Sequence, residues 1–420
     1  MKKILLGLSA ITALAFTACG GSSDNGSGDK KVEISYAIWA MEQEPAEKEL
    51  IKRFEEQNPN IKVKLEVTPW DQYWTKLEAA ATGGVAPDVF SMGQESQLKY
   101  MEAGIAQPLS KYIEKDNIDM NNYVESVRSA YELNGEMYAM PRDIDSIALA
   151  YNKALFDKAG VAYPTNDWTW EDLERTGKII TEKLNGVHAV AFEIDGQNSY
   201  YNLIPQSNGF VISKDGKTSG YNNPETVEGI KKMSDLIKDG LMPSAEELSD
   251  MDTISLFQSN KIAMFYSGSW NVKDFSENKE LDGKVGFVVM PLIKKRIAVS
   301  NGIGLMMASN SKHKDAAWKL MKFLTSEESQ KYLATSGTVI PAYKSVEHFW
   351  ADGFNDKVDV SAFITELEYS YSLPTSRDAA KWRDIEGETL KQVWAGNMSP
   401  EDACKEIYKV MTEALKAEQE

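Results

Sequence analysis

The sequence predicts an α/β protein of two lobes with a cleft between them, and three observations support this fold class. From residue 32 on, short runs of alternating apolar residues take turns with amphipathic helical segments, which is the order expected for a mostly parallel sheet. Residues 32–420 are long enough to form two hydrophobic cores rather than one. Proline-interrupted extended stretches near 140–145, 290–300 and 340–345 indicate three crossings between the lobes, which would form a hinge.

Residues 1–18 are excluded from the fold because they read as a targeting segment. Two lysines precede an apolar run from Ile4 to Phe16 that is too short for a typical membrane span. Small residues then lead directly to Cys19. This pattern resembles a bacterial lipoprotein signal, in which Cys19 would become the lipidated first residue; an ordinary secretory signal with an incidental cysteine is the alternative. Residues 19–31, rich in Gly and Ser, would be a flexible tether, so we expect a lipid-anchored protein on the extracytoplasmic face of the cell membrane.

Composition excludes several classes of function. The formal net charge of −17 argues against a nucleic-acid surface. Cys404 is the only cysteine besides Cys19, so no intramolecular disulfide is expected if Cys19 is acylated. The histidines, at positions 188, 313 and 348, are scattered without cysteine spacing. We therefore expect no metal site, no Ser-His-Asp triad and no cofactor.

The first lobe opens with a strand-helix-strand-helix-strand order that predicts parallel strands with right-handed crossovers. The predicted strands cover 32–39, 61–67 and 87–92, and the helices cover 47–56 and 72–81. Ligands bind beyond the carboxyl ends of such strands. The residues that follow those ends are Trp39, Trp70 and Gly93-Gln94. Further along, Asn134-Gly135 predicts a tight hairpin.

The rest of the chain predicts a second lobe and a return to the first. Helices are expected over 170–184, 200–206, 224–239, 314–324 and 326–334, and strands over 187–192 and 262–266. We interpret 285–291 and 302–308 as two strands that pair with each other on the way back to the first lobe. The predicted lobe 1 comprises 32–141 and 295–342, and the predicted lobe 2 comprises 142–294 and 343–420.

Five motifs in this order resemble one protein family. They are PDVFSM (87–92), GEMYAMPRDIDSIALAYNKALFDKAG (135–160), TWEDL (169–173), KIAMFYSGSW (261–270) and HKDAAWKLMKFLTSEESQKYLATSG (313–337). The chain resembles the extracellular solute-binding proteins, family 1, of ATP-driven (ABC) importers, which include maltose-binding proteins. The resemblance implies a periplasmic-binding-protein fold, with two α/β lobes joined by a three-segment hinge. It also implies a monomer without enzymatic activity that delivers a carbohydrate, such as an oligosaccharide, to permease subunits in the membrane. The short link 292–301 departs from the longer loop often found there.

The resemblance also places candidate ligand contacts at the cleft. An aromatic ring can stack on the apolar face of a sugar, while carboxylates and amides hydrogen-bond its hydroxyls. The candidates are Trp39, Trp70, Tyr73, Asp88, Asp143, Asp145 and Trp270, with Asn301 added because it lies at the second crossing. For Trp270 the alternative is core packing, and for the two hinge aspartates it is an ion pair with Arg142 or a lysine.

Two other functions stay open from the residues alone. Asp143 and Asp145 could form the carboxylate pair of a surface-anchored glycan-processing enzyme. A stand-alone glycan receptor that delivers nothing to a permease is the other alternative. The sequence does not name the sugar, although only seven arginines argue mildly against a phosphorylated ligand.

Overall fold

A six-stranded sheet and a four-stranded sheet organise the chain in a computed structural model that describes residues 31–194, 196–354 and 356–419. The strands are β1 (Val32–Ile38), β2 (Ile61–Val67), β3 (Val89–Met92), β4 (Glu132–Leu133), β5 (Glu136–Met137), β6 (Ala139–Ile144), β7 (Ile147–Asn152), β8 (His188–Ala191), β9 (Ile262–Gly268), β10 (Val285–Val288), β11 (Ala298–Ser300), β12 (Gly302–Met307), β13 (Ile340–Pro341) and β14 (Ser370–Ser372).

Helices cover both faces of the sheets. They are α1 (Glu44–Gln57), α2 (Trp70–Thr82), α3 (Gln97–Glu102), α4 (Ser110–Lys115), α5 (Glu125–Ala130), α6 (Lys153–Ala159), α7 (Trp170–Lys183), α8 (Tyr200–Gln206), α9 (Pro224–Lys238), α10 (Ala245–Asp250), α11 (Thr253–Gln258), α12 (Val272–Glu277), α13 (Lys314–Leu324), α14 (Glu327–Thr335), α15 (His348–Asp352), α16 (Ser361–Leu367), α17 (Ala379–Trp394) and α18 (Pro400–Ala417). Short 3-10 helices cover Met41–Gln43, Met120–Asn122 and Ser269–Asn271. Among the described helices, none combines the length and the apolar composition needed to cross a bilayer.

Lobe 1 is built on the six-stranded sheet, in the order β13-β6-β12-β3-β1-β2. β1 pairs in parallel with both β2 and β3, which confirms the predicted strand-helix-strand-helix-strand start. Alternation along β1 divides its side chains between two layers, as the period of a strand requires. Ile34, Tyr36 and Ile38 pack in a cluster with α1 and α13, whereas Ala37 packs on the opposite face with α2.

Lobe 2 is built on the four-stranded sheet, in the order β10-β7-β9-β8. The expected pairing of 285–291 with 302–308 is wrong: β10 pairs with β7, and β12 pairs with β3 and β6 in lobe 1. β12 supplies apolar side chains to both faces of the lobe 1 sheet, with Leu305 in one cluster and Met306 in the other. Because β12 is buried on both faces, its pairing is decided by the elements packed around it. Its nearness to β10 in the sequence therefore did not decide its partner.

Three crossings join the lobes in a hinge. β6 continues into β7 through Asp145 and Ser146, and β11 continues into β12 through Asn301. After β13, α15 packs on α14 of lobe 1 and α16 packs on β7 and β10 of lobe 2, so the third crossing lies between these elements. β11 and β14 form a small parallel sheet beside the hinge.

A β-bulge interrupts β6 just before the first crossing. Asp143 lies opposite Ile303 of β12 and Pro141 lies opposite Gly304, so Arg142 is an extra residue on β6. Proline lacks the N–H that a regular ladder needs, and it is therefore tolerated at bulges. Arg142 is 2% exposed, and its Nη2 donates to the carboxylate of Glu47 on α1. The bulge thus anchors the hinge end of β6 to a helix of lobe 1 by a buried ion pair.

Replacing Glu47 by Ala should destabilise the protein by about 3–5 kcal/mol, because it would leave a buried guanidinium without its counter-charge. Urea denaturation measures the free energy of unfolding. Glu49→Ala removes an ion pair with Arg53 that lies on the surface of the same helix, and it should leave the free energy of unfolding nearly unchanged. Equal effects of the two substitutions would contradict the role given to the buried pair.

Candidate ligand-binding cleft

An aromatic cluster lies at the carboxyl end of β1, where the parallel strands of lobe 1 end. Trp39 follows β1, and its ring meets the ring of Trp70 at 5.2 Å and 83°, and that of Trp74 at 5.5 Å. Trp70 is 45% exposed. Tyr73 is buried, and its hydroxyl donates to the Ser91 carbonyl at 2.7 Å. Tyr73 therefore supports the cluster from behind, while Trp39 and Trp70 present ring surface. Trp74 was not identified from the sequence.

Trp270 lies in lobe 2, directly after β9. It lies half-buried in the 3-10 helix Ser269–Asn271. Its ring packs on the backbone of Gly268, where a Cβ atom would come within 2.3 Å of the indole. The Ser269 amide donates to the Ser146 carbonyl at 2.9 Å, which ties this turn to the first crossing. Gly268 and the hinge together set the position of the indole.

The two lobes come close at one edge of the cleft. Glu42 lies in the 3-10 helix that follows Trp39, and burial raises the pKa of its carboxyl. Asp274 on α12 of lobe 2 raises the pKa further, and Lys273 on the same helix lowers it. The charges of α12 therefore reach Glu42 from the opposite lobe, which places the start of α1 and the start of α12 near each other.

Asp145 and Asn301 hold the first two crossings side by side. The Asp145 amide donates to the Asn301 carbonyl at 3.0 Å, and the Asn301 amide donates to Asp145 Oδ1 at 2.7 Å. Gln197 of lobe 2 donates to the same oxygen at 2.8 Å. Burial raises the pKa of Asp145 to about 8, although the bonds from Asn301 and Gln197 lower it. The Asp145 side chain is thus engaged mainly with the hinge.

The Asn301 side chain is also engaged within the protein. Its Oδ1 accepts from the Gln94 amide at 3.0 Å, and its Nδ2 donates to Glu95 Oε2 at 3.1 Å. Burial raises the pKa of Glu95, while Arg383 of α17 lowers it. Gln94, Glu95, Gln197 and Arg383 were not identified from the sequence as site residues. Only the place of Gln94 after β3 gave a signal, because it follows the carboxyl end of a parallel strand.

Asp143 is the carboxylate on the floor of the cleft. It is 5% exposed, and within the described part of the chain its carboxylate accepts no hydrogen bond. Burial raises its pKa to about 7; Arg142 lowers the pKa, and Glu47 and Glu42 raise it. A buried carboxylate without a partner is costly, so Asp143 is available to a ligand group in a way that Asp145 is not.

Asp88 lies apart from the other candidates, directly before β3 and so at the amino end of that strand. Its Oδ2 accepts from the Ser35 amide at 2.9 Å and from Ser35 Oγ at 3.0 Å, and its Oδ1 accepts from Ser311 Oγ at 2.5 Å. The structure therefore does not bring Asp88 together with Trp39, which follows the opposite end of its own parallel strand. Cys19 lies outside the described residues. Within them, no group of three His, Cys, Asp or Glu side chains is placed to hold a metal ion.

These features define the class of protein. Two α/β lobes, a three-segment hinge and an aromatic and acidic cleft at the carboxyl ends of parallel strands are the architecture of a periplasmic-binding-protein fold. A family model for bacterial extracellular solute-binding proteins matches residues 40–331, more than half of the chain. The chain belongs to this family.

Several similar proteins are described as sugar-binding proteins or were solved with a sugar bound. The structure is similar to that of an ABC substrate-binding protein from Listeria monocytogenes in complex with cycloalternan, with a TM-score of 0.86, 29% identity and coverage of 92% of this chain and 100% of that one. A maltotriose-binding protein of Pyrococcus abyssi is 26% identical over 341 residues, covering 78% of this chain and 70% of that protein. A diacetylchitobiose binding protein of Streptomyces coelicolor is 26% identical over 370 residues, covering 83% and 84%.

The raised pKa values predict that the protein becomes less stable as the pH rises. Asp143 and Asp145 have pKa values of about 7 and about 8 in the folded chain, above the usual value of about 4 in an unfolded chain. The folded state therefore holds more protons between these limits. The stability that this proton binding gives to the folded state is fully present below about pH 4, and it is lost as the pH rises through 7 and 8. Urea denaturation between pH 5 and 9 should show this decline, which cannot exceed about 1.4 kcal/mol per pH unit for each carboxyl.

The double variant Asp143→Asn, Asp145→Asn should flatten that decline, because the amides keep acceptor oxygens but do not titrate. Some slope should remain, since burial also raises the pKa of Glu366 to about 7 and of Glu386 to about 6. Asp215 has a lowered pKa, chiefly through a bond from Ser213, so Asp215→Asn is a control that should keep the decline. An unchanged slope in the double variant would show that neither cleft carboxyl titrates in this range.

Proposed function

We propose that the protein captures an oligosaccharide in the cleft between its lobes and delivers it to the permease subunits of an ABC importer. The observation that carries this proposal is the presence of exposed and half-buried indoles at strand ends of both lobes, Trp39 and Trp70 in lobe 1 and Trp270 in lobe 2. The buried Asp143 lies in β6 close to the first crossing between these lobes. Indoles stack on the apolar face of a sugar ring, and carboxylates accept its hydroxyl hydrogens. Binding rather than catalysis is expected, because the Asp145 carboxylate is occupied by hinge hydrogen bonds.

The expected ligand is a neutral saccharide. Asp143, Asp145, Glu42 and Glu95 all lie at or near the cleft floor, and burial raises the pKa of each. A phosphate or carboxylate on the ligand would add a further negative charge to this site, where Arg142 is already paired with Glu47. Cycloalternan is the first ligand to test, because the similar Listeria protein was solved with it.

Closure of the lobes would follow ligand binding. A ligand favours the closed arrangement only to the extent that it makes contacts there that the open arrangement lacks. We propose that Trp270 from lobe 2 and Trp39 from lobe 1 make such contacts together. We propose that the units that move are 32–144 and 302–352 against 147–300 and 361–419. The boundaries predicted from the sequence were 32–141 and 295–342 against 142–294 and 343–420.

The family to which the chain belongs is extracellular, and we propose that a lipid on Cys19 holds this member at the outer face of the cell membrane. Residues 19–31 would then separate the lobes from the anchor. A protein held in this way stays beside the permease that it serves, which raises its effective concentration there.

A sugar panel tests the binding proposal. Cycloalternan, maltotriose, diacetylchitobiose and glucose 1-phosphate are added in turn to the purified protein, and the melting temperature is recorded. A neutral oligosaccharide should raise it, since a ligand at 100 times its Kd adds about 2.7 kcal/mol to the stability of the folded state, and glucose 1-phosphate should not. No shift with any sugar of a broad panel would overturn the carbohydrate assignment.

Variants connect that shift to the cleft. Trp270→Ala should weaken binding of the sugar by about 1–3 kcal/mol if the indole stacks on it. Tyr163→Ala removes another partly exposed aromatic side chain, one that packs on Tyr151 away from the aromatic cluster, and should leave the affinity unchanged. Isothermal titration calorimetry measures both. Equal affinities for Trp270→Ala and the unsubstituted protein would remove Trp270 from the site.

Cys19→Ala tests the anchor. The substitution should move the protein from the membrane fraction of expressing bacterial cells to the soluble or secreted fraction and abolish its labelling by a radioactive fatty acid. Cys404→Ala is the matched control, because the Cys404 thiol is buried in α18; it should keep both the membrane location and the label. Membrane retention and labelling of Cys19→Ala would contradict acylation at this residue.

A further inference from the structure

A small cavity lies under Trp39 at the floor of the cleft. Its volume is about 30 Å³. The residues that line it come from the end of β1, the 3-10 helix Met41–Gln43, β3, the bulge of β6 and β12. Among them are Trp39, Gln43, Arg142, Asp143 and Ile303. A cavity of this size holds one water molecule or one hydroxyl group, and little more.

Unpartnered polar atoms surround the cavity. Arg142 and Asp143 both line it, at 2% and 5% exposure. The Nε and Nη1 of Arg142 are buried without a hydrogen-bond partner in the described part of the chain, and the Asp143 carboxylate has none there either. Leaving such groups unpaired costs more than any one ordinary hydrogen bond gains. The arrangement therefore calls for an occupant that can both donate and accept.

The bulge explains why two adjacent residues line one cavity. Neighbouring side chains of a regular strand point to opposite faces. At Arg142 the ladder gains an extra residue between Pro141 and Asp143, and a bulge re-aims side chains in this way beside functional sites. A guanidinium donor and a carboxylate acceptor are thus brought to the same small volume, an arrangement that core packing alone would not require.

The charges around the cavity select among occupants. Asp143 interacts with Glu42, Glu47 and Arg142, so three acidic groups are opposed by one guanidinium. This balance disfavours a phosphate or a carboxylate, and the volume is too small for either. A hydroxyl fits, because it accepts from Arg142 and donates to Asp143.

We propose that this cavity is a subsite for one hydroxyl group of the bound saccharide, which Arg142 and Asp143 both contact while Trp39 covers the adjoining sugar ring. The inference rests on the proposed function and adds a specificity determinant to it. A water molecule fills the subsite when no ligand is bound. A saccharide whose substituent at this position is methylated or missing is rejected by roughly 10²-fold or more, because the two charged side chains would lose their partner.

The first measurement needs no sugar. A crystal structure of the ligand-free protein should show an ordered water molecule bonded to Arg142 and to Asp143. An empty cavity, or one filled by a rotated Ile303 or Gln43 side chain, would overturn the subsite whatever the protein binds.

The second measurement uses the oligosaccharide of the panel that raises the melting temperature most, with cycloalternan as the first probe. Calorimetry should show affinity reduced about 10-fold in Asp143→Asn, which keeps one acceptor oxygen, and about 100-fold or more in Asp143→Leu, which fills the cavity with methyl groups. Glu366→Gln is the matched control, because Glu366 is a buried carboxylate that accepts from the Met290 amide in lobe 2; its affinity should not change. If Asp143→Leu fails to fold, Asp143→Asn decides.

The outcomes separate the two proposals. Wild-type affinity in the folded Asp143 variants, with sugar still bound, overturns the subsite and leaves the oligosaccharide function standing. If no sugar of the panel binds the unsubstituted protein, the proposed function fails and the sugar subsite fails with it. A crystal structure of the complex with a sugar hydroxyl in place of the water, together with weakened binding in the variants, establishes the subsite.

Discussion

The hydrogen bonds between Asp145 and Asn301 are the constraint on which the arrangement of the two lobes depends. Each residue lies at a crossing, and each donates its amide to the other, one to a carbonyl and one to a carboxylate. Gln94 of lobe 1 and Gln197 of lobe 2 then bond to this pair from either side. Because buried backbone groups must be paired, these bonds fix the two crossings relative to each other. Any motion of the lobes is then a rotation about the two crossings.

Buried carboxylates concentrate where the chain crosses between the lobes. Their burial lowers the stability of the folded state, and the rest of the fold offsets this loss. Burial raises the pKa of Asp143, Asp145 and Glu95, so each is less favourable there than in water. The two cores supply the compensating stability, with clusters on both faces of the lobe 1 sheet. Functional sites commonly break rules of folding, such as the pairing of buried charges, that the rest of the protein obeys. The acidic floor fits a ligand that brings hydroxyl groups and no charge of its own.

Much of the fold follows from local pattern, whereas the partners at the hinge do not. Alternation predicted the parallel start of lobe 1, and Asn134-Gly135 predicted the hairpin of β4 and β5, where both residues have positive φ. The place of β12 was missed because strand pairing depends on contacts far apart in sequence. Gln197 is 52 residues from Asp145 and Gln94 is 207 from Asn301, so no local signal could have joined them. The sequence singles out Trp39 and Trp70 because they follow strand ends, whereas Trp74 lies inside α2 and gives no such signal.

Two aspartates of one motif have different surroundings at the end of β6. Asp143 and Asp145 are two residues apart in a stretch predicted to be extended, so the sequence alone treats them as equivalent neighbours on one face. Pro141 cannot donate to the ladder, and the extra residue that follows it, Arg142, shifts the register by one. Asp145 meets Asn301 at the crossing, and Asp143 lies beside Arg142 at the small cavity under Trp39. The two aspartates of the motif differ because β6 ends between them, at Ile144: Asp143 lies in the ladder beside the bulge, and Asp145 lies in the crossing.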